Sequence, residues 1–364
     1  MSSIAVKNKK RVFVGLSGGV DSSVAAALLK KEGYDVTGVF IKTWHPDFLP
    51  SASSPSRDGC TWREERLDAM RAAAHLDIPF LTFDFENEYK KNVADYFISE
   101  YKMGRTPNPD VMCNKEIKFG AFLKKARAMG ADFVATGHYA RKDGAELLTG
   151  VDTGKDQAYF LWTLSQEQLS RCLFPIGKYK KNDVRKLAKK FGLPTAEKKD
   201  SQGICFLGKT DMKEFLAHYM TPRVGSVVSE QGKTIGTHQG AFFYTLGERH
   251  GFTITAHNDR AKPYYIVKKD LENNTIMVSH VIHSGDKHFS HKEINLENVN
   301  WISGIAPDES KQYTAHIRYH GEFLPCQIKE SGKKVIFKKP CLAASGQSVV
   351  VYDGDVCLGG GIVA

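Results

Sequence analysis

A glycine- and serine-rich turn near the N-terminus has the composition of an anion-binding loop. It runs Gly15-Leu16-Ser17-Gly18-Gly19-Val20-Asp21-Ser22-Ser23, between an apolar run at 12–14 and a second one at 24–29. These flanks predict a buried strand followed by a buried helix. Glycines let a ligand approach the backbone, a helix N-terminus offers free N–H groups, and serines add hydroxyl donors. The turn therefore predicts a phosphate site.

Two features of this turn limit the phosphate chemistry it can perform. No lysine follows the glycines, which excludes a Walker A loop, and the glycine spacing does not match G-x-G-x-x-G. A turn without that lysine is poorly suited to holding a γ-phosphoryl group in transfer. It is better suited to holding pyrophosphate as a leaving group, with Asp21 able to help hold Mg²⁺. The alternative is an ordinary glycine and serine turn.

Two of the seven cysteines lie in segments that would favour a thiolate. Cys113 directly precedes a predicted helix and has Lys115 and Lys118 nearby, while Cys205 lies in a glycine-containing loop next to the lysines at 198–199. A helix N-terminus and neighbouring cations lower the pKa of a thiol. The prolines before Cys113 predict an irregular and accessible segment. The alternative for each is an inert buried thiol.

The remaining cysteines and a group of histidines have no such context. A metal site is not predicted at His280, His283, His288 and His291, because they show no metal-ligand spacing. The cysteines predicted to serve only in packing are Cys60, Cys172, Cys326, Cys341 and Cys357. An odd number of cysteines without a C-x-x-C pair also argues against a secreted disulfide framework and a zinc knuckle.

The elements that must position these residues follow from hydrophobic periodicity. Strands are predicted at 12–14, 36–41, 79–85 and 132–136. Helices are predicted at 64–76, 89–101, 115–129, 180–191 and 211–220. The alternation predicts an α/β domain over residues 1–215, with a parallel sheet, helices on both faces and ligands at the carboxyl ends of the strands. Residues 104–110 are predicted to be irregular because they contain two prolines.

The pattern changes near residue 222 to short alternating runs separated by turns. A hairpin is predicted at 264–268 and 275–279, within a small, mostly-β central domain over residues 216–284. Strands of a small C-terminal β-barrel over residues 285–364 are predicted at 314–319, 326–329, 334–338 and 348–352.

Composition indicates a globular chain with a basic surface. Of its 364 residues 41% are hydrophobic and 25% charged, and the formal net charge is +10. This charge is compatible with a polyanionic partner such as nucleic acid, although a lysine-rich surface alone would produce it. The chain contains no apolar run of eighteen residues, and residues 1–11 are polar and basic. We therefore predict a cytoplasmic protein without a membrane partner.

Five further motifs resemble one family in their order along the chain. They are TPNPDVMCNKEIKF, ATGHYA, KDQAYFLWTLS, DSQGICFLG and GDVCLGGGIVA. Together with SGGVDSS they are similar to the bacterial tRNA-specific 2-thiouridylases, which belong to the PP-loop ATP pyrophosphatases. The resemblance implies that ATP, with Mg²⁺, adenylates O2 of the wobble uridine of a tRNA, releasing pyrophosphate. A persulfide on Cys205 then delivers sulfur, Cys113 forms a disulfide with Cys205, Asp110 handles the proton of the base, and AMP leaves.

The resemblance also implies two sets of ligand contacts and two classes of partner. The ATP contacts are Gly15, Leu16, Ser17, Gly18, Gly19, Val20, Asp21, Ser22, Ile41 and Gly137. The tRNA contacts are Asn108, Pro109, Asp110, His138, Lys155, Asp156, Gln157, Arg318 and Tyr319 on a C-terminal strand, and Gln347. The partners are tRNAs for glutamate, lysine and glutamine, and a sulfur-relay donor protein. The chain departs from the family at Ile41, usually Met, and at Ala158, often Ser or Thr.

Three other interpretations remain open on the sequence. A PP-loop synthetase acting on a small molecule would need no pair of reactive cysteines. A non-catalytic tRNA-binding protein would use Cys113 and Cys205 only as a redox clasp. An iron–sulfur cluster on Cys113, Cys205 and Asp110 is disfavoured, because such clusters normally take four cysteines.

Overall fold

The structure, a computed structural model, describes residues 9–46, 48, 62–200, 211–255, 262–280 and 291–364. Its strands are β1 (Arg11–Gly15), β2 (Asp35–Lys42), β3 (Phe80–Asp84), β4 (Phe133–Ala135), β5 (Ala140–Asp143), β6 (Glu146–Thr149), β7 (Cys172–Leu173), β8 (Gly225–Val228), β9 (Thr234–His238), β10 (Thr253–Ile254), β11 (Tyr265–Asp270), β12 (Thr275–Ser279), β13 (His291–Trp301), β14 (Tyr313–His316), β15 (Leu324–Lys329), β16 (Lys334–Cys341), β17 (Ser348–Asp353) and β18 (Val356–Val363). Its α-helices are α1 (Val20–Lys31), α2 (Trp62–His75), α3 (Glu86–Tyr89), α4 (Asp95–Lys102), α5 (Pro109–Met112), α6 (Phe122–Ala128), α7 (Gln166–Ser170), α8 (Lys181–Lys190) and α9 (Met212–Ala217).

The N-terminal region is built on a parallel sheet in the order β3-β2-β1-β4-β7. Alternate residues of β1 point to opposite faces. Phe13 packs in the cluster that contains the helical segments between residues 86 and 128. Val12 and Val14 pack against α1 and α2 on the other face. The predicted α/β architecture with helices on both faces is therefore confirmed.

The helix that carries Cys113 begins earlier than predicted. It starts at Pro109 and runs through α5, a π-helical segment at Cys113–Ala121 and α6 without a break. Asn108 is its N-cap, and the Asn108 side chain accepts hydrogen bonds from the backbone N–H groups of Asp110 and Val111. The prediction of irregular structure through residue 110 is wrong at its end, because proline is well tolerated in the first turn of a helix.

The second half of the chain forms two β structures, as predicted. A central sheet has the order β10-β9-β8-β12-β11, and β11 and β12 form the predicted antiparallel hairpin. The C-terminal strands form a sheet in the order β13-β16-β15-β14-β17-β18, which the pairing of β13 with β18 closes into a barrel of six strands. The domain boundaries at residues 215 and 284 stay predictions, and residue 284 lies outside the described residues.

The strands that were not predicted include two of the barrel and both strands of one hairpin. β13 is rich in Asn and Glu, and β18 contains three consecutive glycines, so neither has a strong strand pattern. The hairpin of β5 and β6 leaves the N-terminal region and pairs with β18, which extends the barrel sheet. Arg318 and Tyr319 lie in the turn after β14, not on a strand, because β14 ends at His316. Among the described residues, no helix has the length and apolar character needed to cross a bilayer.

Candidate active site

The glycine and serine turn lies between β1 and α1, as predicted, and is held by its own hydroxyl groups. The Ser17 backbone N–H donates to Ser22 Oγ at 3.2 Å, and the hydroxyls of Ser22 and Ser23 donate to the carbonyl of Gly19 at 3.2 and 2.9 Å. The N-cap of α1 is Gly19, so no N-cap side chain is present to accept from the first N–H groups of the helix. The first N–H groups of a twelve-residue helix are thus directed at the turn, which is the arrangement of an anion site.

Two glycines allow the close packing around this turn. Gly18 has φ +74°, and a Cβ there would lie 2.3 Å from the carbonyl oxygen of Glu65 in α2. A Cβ on Gly137, which follows β4, would lie 2.7 Å from the backbone nitrogen of Ser22. The structure therefore places Gly137 against the N-terminus of α1, at the carboxyl end of the sheet, where sequence analysis predicted ligands to bind. Ile41 also lies here, at the end of β2, with its Cδ1 3.7 Å from the position of a Cβ on Gly15.

We expect Gly137→Ala to weaken ATP binding by at least about tenfold, because its Cβ would displace the backbone of α1 at the predicted phosphate turn. Isothermal titration of the purified variant with ATP measures the effect. Gly154→Ala is the matched control, since its Cβ would meet only a side-chain oxygen of Asp152 at 3.6 Å. Equal ATP affinities in the two variants would contradict the close approach.

A group of charged side chains surrounds Asp21, in the first turn of α1. The Asp21 carboxylate accepts from Tyr139 Oη at 2.8 Å and from Lys181 Nζ at 2.8 Å to each oxygen. Lys181 Nζ also lies 2.9 Å from Asp200 Oδ1. Asp200 in turn pairs with Arg185 at 2.6 Å and Lys155 at 3.2 Å. The loop that has no lysine of its own therefore receives one from α8.

Asp200 is the last described residue before the segment that contains Cys205. Burial acts to raise the pKa of Asp200, but the hydrogen bonds and charges of Lys181 and Lys155 outweigh it and hold the pKa below its usual value. Asp200 is thus an anion at neutral pH and is fixed beside the turn. Cys205 itself, Cys60, His283 and His288 lie outside the described residues.

Cys113 does not have the exposure that sequence analysis predicted. It lies one turn into the continuous helix that starts at Pro109, and only 4% of its surface is exposed. It packs in the main hydrophobic cluster with Val111 and Ile117. The prediction of an accessible thiol is wrong, because the proline segment ends at a helix and does not continue as a loop. Lys115, which sequence analysis placed near the thiol, forms an ion pair with Glu116 at 3.4 Å.

The same helix connects Cys113 to the phosphate turn. Lys118, one turn beyond Cys113, has its Nζ 3.5 Å from His138 Nε2, and His138 follows Gly137 directly. Complete burial and the charge of Lys118 hold the pKa of His138 well below its usual value. The ring is therefore neutral, so Nε2 accepts from Lys118 while Nδ1 donates to Thr136 Oγ1 at 2.7 Å. Contact of this buried histidine with tRNA stays a prediction.

Asp110 lies in the first turn of the helix, and both Asp110 and Tyr319 have raised pKa values. Burial raises the pKa of Asp110, and Lys118 opposes the rise. Burial also raises the pKa of Tyr319 to about 12, and the charges of Asp156 and Asp110 add to that rise. The Tyr319 ring lies 4.4 Å from that of Phe160, centroid to centroid. The charge of Asp110 in the N-terminal region thus acts on Tyr319, which lies in the turn after β14.

The segment before Asn108 is hydrogen-bonded to the C-terminal barrel domain and to the central sheet. The N–H of Thr106 donates to the carbonyl of Ser345 at 2.7 Å, two residues from the predicted tRNA contact Gln347. Arg105 pairs with Glu100 at 2.8 Å and with Glu297 of the barrel. Lys269 of the central sheet donates to the carbonyl of Gly104 at 2.7 Å. The barrel and the central sheet therefore help to position the Asn108–Cys113 segment.

The other predicted tRNA contacts have internal partners in the structure. Asp156 accepts from the N–H groups of Gly150 and Ala158 at 2.7 and 3.2 Å. Gln157 Oε1 accepts from the N–H of Tyr139 at 3.0 Å. These two side chains thus shape the loop beside Tyr139, and their contact with tRNA stays a prediction, as it does for Lys155 and Arg318.

The cysteines predicted to serve in packing do so where they are described. Cys172, Cys326, Cys341 and Cys357 are all buried and free. Burial raises the pKa of Cys172 and Cys326 to about 12 and that of Cys341 to about 11, and it raises the pKa of Cys357 as well. These thiols are therefore protonated and inert at neutral pH. Within the described ranges, no group of three or more His, Cys, Asp or Glu side chains could hold a metal ion.

Comparison with known proteins identifies the family. Family models match residues 10–209 (tRNA methyl transferase HUP domain), 213–280 (tRNA methyl transferase PRC-barrel domain) and 291–363 (aminomethyltransferase beta-barrel domain). The tRNA-specific 2-thiouridylase MnmA of Thiobacillus denitrificans is 45% identical over 365 residues, covering 97% of this chain and 99% of that protein. This chain belongs to the tRNA-specific 2-thiouridylase family.

Other relatives agree with this assignment. A 2-thiouridylase named MnmA 2 from Geobacillus kaustophilus is 44% identical and covers 98% of this chain and 95% of that protein. A solved structure described as a 4-thiouridine synthetase–RNA complex with bound ATP is 21% identical, covers 57% of this chain and 50% of that chain, and has a TM-score of 0.33. An identity and a TM-score this low do not indicate the function or the family of this chain. The 2-thiouridylase family is thus assigned from the relatives matched over nearly their full length.

One residue of this 2-thiouridylase site was missed by sequence analysis. The sequence predicts a helix at 180–191 but assigns no role to Lys181, whereas in the structure Lys181 reaches Asp21. No spacing in the sequence relates residues 160 positions apart, so only the packing of α8 on α1 reveals the pair.

Proposed function

We propose that this protein is an ATP-dependent tRNA 2-thiouridylase that converts a wobble uridine into 2-thiouridine. The observation that carries the proposal is the convergence of the phosphate turn, the Asp110–Cys113 helix and Asp200 around Gly137 and Lys181. The names of the matching family models refer to methyl transfer, whereas the names of the full-length relatives refer to thiolation. The second description fits this site, because a turn built for phosphates suits the use of ATP.

The first step activates the base. O2 of the uridine attacks the α-phosphorus of ATP, the bond from that phosphorus to the bridging oxygen breaks, and pyrophosphate leaves with the electron pair. Asp110 accepts the N3 proton, which allows O2 to act as the nucleophile. Mg²⁺ would be held by Asp21 and the phosphates and would neutralise the leaving group. A single carboxylate beside phosphates suits Mg²⁺, which usually binds proteins through one or two carboxylates.

The second step transfers sulfur. The terminal sulfur of a Cys205 persulfide bonds to C2. The Cys113 thiolate then attacks Cys205 Sγ, the sulfur–sulfur bond breaks, and AMP leaves as the C2=S bond forms. The two cysteines are oxidised to a disulfide while the transferred sulfur is reduced, so a thiol reductant and a sulfur donor protein must reset the enzyme.

Chain geometry supports this meeting of the two cysteines. Five peptide units separate Cys205 from Asp200, which limits their Cα atoms to a separation of at most about 18 Å. Asp200 shares Lys181 with the phosphate turn, and Lys118 connects that turn to the helix of Cys113. We propose that the tRNAs are those for glutamate, lysine and glutamine, and that the reaction takes place in the cytoplasm.

One experiment tests the function and separates its competitors. Purified protein, ATP, Mg²⁺, unmodified tRNA and a ³⁵S-labelled persulfide donor should yield labelled 2-thiouridine on nucleoside analysis. Pyrophosphate release that needs no tRNA would favour a small-molecule synthetase. Tight tRNA binding without ATP consumption would favour a non-catalytic protein.

We expect thiolation by this protein to be lost as the pH falls through the pKa of Asp110, which lies above the usual aspartate value. Burial raises the pKa of Asp110, and a base must be ionised to accept a proton, so the protonated enzyme is the inactive form. The pH profile of single-turnover thiolation measures this acidic limb. Asp110→Asn should remove the limb and slow the reaction about 100-fold or more, whereas the exposed Asp143→Asn should change neither. If the acidic limb of the pH profile were unchanged in Asp110→Asn, a group other than Asp110 would be responsible for that limb.

A further inference from the structure

The environment of Lys181 differs from that of an ordinary surface lysine. Lys181 is the first residue of α8, and its backbone N–H donates to Asp152 Oδ2 at 2.8 Å. Its side chain is only 11% exposed, and its ammonium group bridges Asp21 and Asp200. Val184 and Ala188 pack against α1 in one cluster and fix the distance between the two helices. The charge is therefore held at the N-terminus of α1 by a rigid support.

We propose that Lys181 is the phosphate-binding cation of the ATP site, which contacts the β and γ phosphates and neutralises pyrophosphate as it leaves. This inference rests on the proposed function. The phosphates must approach the N-terminus of α1, where the Asp21 carboxylate would repel them unless a cation intervenes. Lys181 Nζ is within hydrogen-bonding distance of both Asp21 oxygens, so its ammonium group already lies beside the carboxylate that the phosphates would approach. An ammonium group is a compact donor of three hydrogen bonds and is well suited to phosphate oxygens.

Lys181 can turn toward phosphate without leaving a carboxylate unpaired. Asp200 keeps Arg185 at 2.6 Å and Lys155 at 3.2 Å. Asp21 keeps the hydroxyl of Tyr139 at 2.8 Å and would gain Mg²⁺ with the nucleotide. Each partner of Lys181 therefore has a replacement, which is what a cation that changes partners during the reaction requires.

A purely structural ion pair would behave differently in binding measurements. We expect Lys181→Met to weaken binding of Mg·pyrophosphate and Mg·ATP by about 10- to 100-fold in isothermal titration, and binding of AMP by less than about twofold, since AMP lacks the β and γ phosphates. Lys186→Met is the matched control, because Lys186 lies on the same helix with a side chain that is 78% exposed. An equal loss for all three ligands, or no loss for pyrophosphate, would overturn the proposal.

A second measurement uses the unaltered protein in case Lys181→Met does not fold. Lysine acetylation with a limiting reagent, quantified by mass spectrometry, should show less labelling of Lys181 in Mg·pyrophosphate than in AMP, with Lys186 unaffected. Equal labelling of Lys181 in both would overturn the proposal. The two failures are distinguishable: a protein that thiolates tRNA but shows no selective effect at Lys181 refutes only this inference, whereas a protein that binds no ATP refutes the proposed function.

Discussion

Cys205→Ser is expected to abolish thiolation while leaving ATP-dependent activation of tRNA intact. Serine cannot carry a persulfide, so no sulfur reaches C2, but the phosphate turn and Asp110 are unchanged and pyrophosphate is still released in the presence of tRNA. We expect at least about a 1000-fold loss of 2-thiouridine, the scale seen when a nucleophile is removed from a catalytic unit. Nucleoside analysis measures the sulfur step, and pyrophosphate release in a single turnover measures the adenylation step.

The matched control for this prediction is Cys60→Ser. Cys60 also lies outside the described residues and has no predicted role in the chemistry. It should thiolate tRNA at the unaltered rate. Normal thiolation by Cys205→Ser would show that sulfur travels by another residue, and loss of both steps together would show that the substitution acts on the ATP site.

Cys113→Ala should also stop thiolation, but at a later stage and with a cost in stability. Without the Cys113 thiolate nothing cleaves the bond between Cys205 and the transferred sulfur, so a covalent protein–tRNA adduct should accumulate. Denaturing gels without reductant should show the adduct, and dithiothreitol should release it. We expect at least about a 1000-fold loss of 2-thiouridine under non-reducing conditions.

The stability effect of Cys113→Ala follows from burial. Removing a buried sulfur leaves a small cavity, so we expect the free energy of unfolding to fall by about 1 kcal/mol. An accessible thiol, as the sequence predicted for Cys113, would give little change in stability. Cys326→Ala is the control, since Cys326 is 1% exposed in the barrel: it should lose similar stability yet thiolate normally. An active Cys113→Ala variant without an adduct would refute the disulfide step.

The burial of Cys113 also constrains the reaction. In the proposed disulfide step the Cys113 sulfur reaches Cys205 from a position 4% exposed, which requires the helix that starts at Pro109 to open or shift. The π-helical segment at Cys113–Ala121 offers a place for such a shift, because π-helical turns are rare and occur often at functional sites. The barrel contacts of Arg105 and Thr106 would connect tRNA binding to that movement.

The sequence by itself determined the local chemistry and the class of fold. The turn at 15–23, its flanking strand and helix, the alternation of strands and helices, and the change to β structure after residue 222 are all short-range patterns. Each depends on residues close together in the chain, so each could be identified before the structure was known. The pairing of Gly137 with the turn was also predictable, because β1 and β4 end at the same edge of a parallel sheet.

Tertiary structure alone decided the partners and the exposure of the site residues. Lys181 reaches Asp21 across 160 positions because α8 packs on α1. Cys113 is buried because the helix that carries it begins at Pro109 and packs its Cys113 face into the main core. Tyr319 lies against Phe160 because the barrel packs beside the N-terminal region. Burial and long-range pairing depend on how whole elements pack, and no local pattern of residues encodes them.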